Sequence, residues 1–180
     1  MSEVILELVE EFFHQRKYFT ARDGNLILVR KSNPEIEKKD SPFILDQIYI
    51  EHISAAVIKP VAWHTCKITT RILETFPEIL EFAKENQAER FSNWFRDQLF
   101  IKMLIIPQLP SNTDLRQQVI KKLKETGIAH IMTIPSIISG VIEKIEPRKV
   151  YSSPICDLLR ILKFYNILSS TKEQMELPLR

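Results

Sequence analysis

Phe43-Ile44-Leu45-Asp46-Gln47-Ile48-Tyr49-Ile50, followed after a short break by Ala55-Ala56-Val57-Ile58-Lys59-Pro60-Val61-Ala62-Trp63-His64, decides how this chain is read. Both stretches are rich in strand formers and read as adjacent strands. The first carries a lone Asp near its start, the second a lone Lys near its end. With the turn centred between His52 and Ile53, antiparallel pairing sets Asp46 opposite Lys59 and Ile48 opposite Val57. Opposed residues, and residues two apart on a strand, share a face, so all four side chains would leave one side of the sheet. A four-residue loop is an equally good connection and would shift that register.

Working outward, Val4, Ile5, Leu8, Val9, Phe12 and Phe13 recur at helical spacing, with Ser2 as N-cap and an end near Arg16-Lys17. Tyr18 to Arg22 and Asn25 to Arg30 flank the turn pair Asp23-Gly24 and form a hairpin. The polar stretch from Lys31 to Ser41, with its Asn33-Pro34 and Ser41-Pro42 steps, is a loop. Thr69 caps a helical pattern that extends to about residue 96, kinked or broken at Pro77. Leu99 to Ile106 is a nearly continuous apolar run, which suits a strand buried on both faces. Ser111 to Asp114 opens a helix that closes at Gly127. A strand over Ile128–Ile134, a helix through about Ile145 and a last helix over Pro154–Leu168 follow. That last helix is predicted to turn Ile155, Leu158, Leu159, Ile161, Leu162 and Tyr165 inward. The expected fold is α/β, a single mixed sheet flanked by helices and forming one domain over residues 1–168. Ser169 to Arg180 has no strong pattern and is predicted to be a flexible C-terminal tail.

Composition narrows the function classes. A net charge of +2 gives no global field favouring nucleic acid, so such contact needs a local patch. Three glycines leave no Gly-rich phosphate loop, and GxSxG and HExxH are absent. Cys66 and Cys156 have no metal-like spacing and read as thiols in a reducing cytoplasm. No apolar run is long enough to span a bilayer, and the N-terminus lacks a basic-then-apolar signal pattern. The reading is a cytoplasmic protein with no membrane partner.

Phosphodiester cleavage assisted by a metal needs carboxylates, usually two or three, to hold Mg²⁺ through oxygen. The ion polarises the phosphate and acidifies its bound water, and a nearby lysine can orient that water. Asp46 and Lys59 meet two of these needs. Val57, where a second acid belongs, cannot meet the third.

Helix with glutamates, hairpin, Asp strand, x-x-Lys strand, helix, strand is an order that resembles the restriction-endonuclease-like superfamily, the PD-(D/E)xK fold, over about the first 135 residues. Leu45-Asp46-Gln47-Ile48 looks like the place of the family's Asp, Val57-Ile58-Lys59 like its (D/E)-x-K, and Ala62-Trp63-His64 like the segment that often follows. The resemblance implies Asp46 and Lys59 as catalytic residues, with Glu10 as the family's upstream glutamate. Some members recruit the missing acid from the neighbouring helix. Here Glu74, and less readily Glu78 or Glu81, would join Asp46 on the metal. With Val57 in place, loss of one such charge-stabilising group costs about 3–4 kcal/mol in the transition state. The reading is therefore a nuclease-like protein with an incomplete site that acts by binding nucleic acid or a protein partner. The alternatives are an active Mg²⁺- or Mn²⁺-dependent nuclease with a migrated acid, and a homo-oligomeric interaction protein, such as a homodimer, unconnected with nucleic acid. Trp63 and His64 are candidates for contacting bases, although packing and a surface hydrogen bond explain them as simply. Lys121 and Lys122 belong to a basic stripe that could meet phosphates or merely face solvent near a helix end.

Overall fold

The structure, a computed structural model, describes residues 3–31, 50–61, 66–84, 87–96 and 98–168. Its N-terminal helix α1 (Glu3–His14) buries Ile5, Leu8, Val9, Phe12 and Phe13 as the apolar spacing predicts, with Leu6 in the core in place of Val4, which faces solvent. Strands β1 (Tyr18–Asp23) and β2 (Leu26–Lys31) form an antiparallel hairpin in which Asp23 pairs with Leu26. The two-residue connection requires a left-handed residue, supplied by Gly24 at φ +58°.

Strand β3 (Ala55–Pro60) follows a 3-10 turn at Ile50–His52 and pairs antiparallel with β2. Its other edge carries β4 (Ile101–Ile106) in parallel, and β5 (His130–Thr133) extends the parallel half. The order is β1-β2-β3-β4-β5 in one mixed sheet. The expected neighbour of the Lys59 strand is the Asp46 strand, whereas among the described residues the neighbours of β3 are β2 and β4. The expected strand over 43–49 lies outside the described residues, as does the predicted tail over 169–180.

Pro77 breaks the long helical pattern instead of kinking it, because a proline removes a helical donor and crowds the preceding turn. It separates α2 (Thr70–Thr75) from α3 (Glu78–Lys84), and α4 (Gln87–Phe95) follows. Helices α5 (Thr113–Glu125), α6 (Ile134–Lys144) and α7 (Pro154–Phe164) start at Asn112, Thr133 and Ser153, each of which accepts a backbone N–H through its side chain.

Alternation along the strands divides the interior into two cores, one on each face of the sheet. Ile27, Val29, Ala56, Ile58, Met103 and Ile105 pack under α1 and α6. Leu28, Ala55, Val57, Leu104, Ile106 and Ile131 pack under α2–α5. Helix α7 departs from expectation. Cys156 is its buried residue, with Ile155 and Leu159 partly covered, whereas Leu158, Ile161 and Tyr165 face solvent. Among the described residues no helix is long and apolar enough to cross a membrane.

Candidate functional site

Lys59 lies on the same face of β3 as Ala55 and Val57, toward α2–α5. Val57 is fully buried among aliphatic side chains, so the second-acid position is part of the core. The Lys59 ammonium leaves that core toward α3, donates to the Glu78 carbonyl and sits 5.7 Å from the centre of the Phe82 ring. Lys102, paired across β4 with Val57, similarly reaches the Ala83 carbonyl at the other end of α3. The two lysines thus anchor α3 from either side of Val57.

Beside Lys59 the next strand is β2. Continuing the Ile27–Ile58 pairing by one residue sets Leu26 level with Lys59, and Leu26 pairs with Asp23. Asp23 therefore shares the sheet face of Lys59. Both border a polar cavity of about 220 Å³, together with Gly24, Asn25, Glu81 and Arg90. Arg90 of α4 forms an ion pair with the Asp23 carboxylate and lies 5.1 Å from the Phe91 ring centre. Glu81, one of the less favoured candidates for the migrated acid, does border the cavity with Lys59, whereas Asp23 and Arg90 are the members of this cluster that the spacing argument missed. A larger cavity of about 350 Å³, lined by Ile5, Pro107, Gln108, Ile134, Pro135 and Ile138, offers no acid, base or nucleophile.

No family model matches this sequence, and no curated protein or solved structure matches it significantly. What the cavity can do must therefore be argued from its chemistry.

The other anticipated site residues are dispersed. Glu10 lies across the sheet from Lys59, because Arg22, its partner, stands opposite Ile27 on the α1 face. Glu10 grips Arg22 in a fork, with Nε–Oε1 at 2.8 Å and Nη2–Oε2 at 2.5 Å, and Glu3 joins it. The Glu10 hydrogen bonds, assisted by Glu3, hold the Arg22 guanidinium protonated well above its ordinary range despite partial burial. Such a fork pins the start of α1 to β1. Glu74 forms a 2.7 Å ion pair with Lys122, so the proposed migrated acid and a proposed phosphate-binding lysine neutralise each other. Lys121 is 4.0 Å from Glu125, one turn further along α5. Asp46, Trp63 and His64 lie outside the described residues.

Among the described residues no three acid, histidine or cysteine side chains gather where they could hold a metal. Asp23 and Glu81 are the carboxylates bordering the cavity, and the first is matched by Arg90. Such a cluster does not fit the oxygen-rich shell Mg²⁺ needs. Two acids, Asp23 and Glu81, and two cations, Lys59 and Arg90, border the cavity.

Proposed function

We propose that this chain is a restriction-endonuclease-like domain whose nuclease site is silent and which acts by binding, with nucleic acid the first partner to test. The element order supports the resemblance: α1, the β1–β2 hairpin, antiparallel β3 carrying Lys59, helices, then parallel β4. On this reading Asp23, which borders the same cavity as Lys59, joins Asp46 as a candidate acid. The observation that carries the silent-site reading is Val57, sealed in the core where the motif requires a carboxylate. Lys59 fits it as well, since its ammonium is engaged by a backbone carbonyl of α3. No observation favours the active enzyme with a migrated acid, because Glu74 is turned to Lys122.

The test is cleavage of supercoiled plasmid across a titration of Mg²⁺ and Mn²⁺, comparing wild type with Asp23→Ala, Asp46→Ala and Lys59→Ala. Anisotropy titrations with duplex and single-stranded DNA at several salt concentrations accompany it. The expected result is binding that weakens as salt rises, with no cleavage above background. Metal-dependent cleavage abolished by Lys59→Ala would establish the enzyme instead. Loss of both cleavage and binding would leave a protein partner as the ligand.

A further inference from the structure

Helix α7 is mounted with part of its apolar surface outward. Its inward side carries Cys156 and Lys163 together with Ile155 and Leu159, which pack against the core, and the polar groups there have partners. The Lys163 ammonium donates to the carbonyls of Ile142 and Ile145 at 2.9 and 2.8 Å, capping the end of α6. Arg160 Nε donates to Asp157 at 2.8 Å, and Cys156 Sγ donates to Glu11 of α1 at 3.4 Å. The bonds from Lys163 to the end of α6 and from Cys156 to α1 fix the rotation of the helix, so the exposed apolar side cannot turn toward the core without stripping them.

That outward side is continuous. Leu158, Ile161 and Tyr165 follow at i, i+3 and i+7, which is one helical face. Leu158 is 56% exposed, Tyr165 68%, and neighbouring Phe164 56%. Phe164 and Tyr165 meet edge to face, with ring centres 5.3 Å apart. After the helix, Asn166 turns left-handed at φ +55°, and Ile167 N–H bonds back to the Leu162 carbonyl at 2.9 Å. This Schellman closure keeps Ile167, 64% exposed, beside the stripe.

We propose that a second copy of this chain covers α7, with the two helices packed antiparallel about a two-fold axis beside Ile161. The inference stands apart from the nuclease reading. Area is the first argument for a copy. The five exposed residues present roughly 600 Å² per protomer, so a symmetric pair can bury at most about 1,200 Å² through them, the lower bound for a specific interface. Charge is the second. The stripe itself carries none, and Asp157 and Arg160 at its rim are paired within the chain, so self-association brings no like charges together. Shape is the third: a two-fold beside Ile161 sets Leu158 of one copy against Tyr165 of the other, aliphatic against aromatic.

Sedimentation equilibrium of the full chain tests this. Wild type should show a monomer–dimer equilibrium with a dissociation constant in the range of about 1–100 μM, as suits an interface of this size. Leu158→Glu combined with Tyr165→Glu should weaken it at least about 100-fold through burial of unpaired charge. Far-UV circular dichroism and melting temperature should stay at wild-type values, because both positions are exposed. In a Cys66→Ser background, Ile161→Cys should oxidise to a linked dimer, whereas Leu99→Cys, also exposed, should not. A chain that stays monomeric to millimolar concentration would overturn the proposal. So would a dimer indifferent to the two glutamates, which would leave the stripe to residues 169–180 or to a different protein.

Discussion

Replacing Val57 by aspartate restores the acid that the lysine strand lacks, and the structure says the fold should resist it. Val57 is wholly buried, so losing its side chain from the core forfeits about 1.5–3 kcal/mol. A poorly satisfied polar group in its place adds about 1–3 kcal/mol. Two cations oppose this cost, Lys59 on the same strand face and Lys102 directly across β4. Each ammonium would have to leave a carbonyl of α3 to reach so short a carboxylate. The net loss should therefore be about 3–4 kcal/mol, a drop of about 10 °C in melting temperature for a domain of this size. Urea denaturation of V57D, with V57A as the cavity control, measures it. The pH dependence separates the two environments. Burial raises the folded-state pKa of the new carboxyl, so its deficit should grow as pH rises from the ordinary aspartate value near 4 toward neutrality. A deficit that shrinks over that window would mean that the lysines have captured the carboxylate. V57D as stable as wild type, and further stabilised by Mg²⁺, would refute the assignment of position 57 to the core.

Three further outcomes are expected. Burial, then the neighbouring Glu11 charge, pushes the Cys156 thiol up to about 11, so at pH 8 a thiol reagent should modify exposed Cys66 and spare Cys156 until urea is added. The same shift means that Cys156 costs stability as pH climbs from its unfolded value near 8.5 toward 11, a loss that Cys156→Ala should remove from the pH profile of urea melts. Gly24→Ala should cost about 1 kcal/mol by chemical denaturation, entirely through its positive φ, since a Cβ there would meet nothing within 4 Å. Glu10→Ala should destabilise by about 1–2 kcal/mol, because it strips the fork from Arg22, whereas Glu3→Ala should cost less than about 0.5 kcal/mol, the exposed partner being screened by solvent.

Most elements could be read from the chain because local chemistry sets them. The apolar periodicity of α1, the Asp23-Gly24 turn and the uninterrupted Leu99–Ile106 run each specify their structure within a short window. Strand adjacency is a different kind of information. Pairing depends on which edge is free once the sheet assembles, and no local pattern in β2 names β3 as its partner. Hence Asp23, read as a turn residue, turned out to border the Lys59 cavity. A hint was present: the hairpin strand before the polar loop is the nearest antiparallel candidate for β3, and an acid, Asp23, ends the strand paired with it. The orientation of α7 was hidden for a related reason. An apolar stripe signals a buried face, but here Lys163 found better acceptors at the end of α6 than solvent offers, and the helix rotated to reach them.

The division of the sheet into an antiparallel half and a parallel half carries a kinetic consequence. The hairpin closes over two residues, but pairing Ala56 with Ile101 must bring together positions about 45 residues apart, and such distant closures slow folding. Refolding should therefore pass a barrier at which β1 and β2 are already zipped and the docking of β4 on β3 is still under way. Destabilising changes in the β1–β2 hairpin would retard refolding, while those confined to β5 would chiefly hasten unfolding.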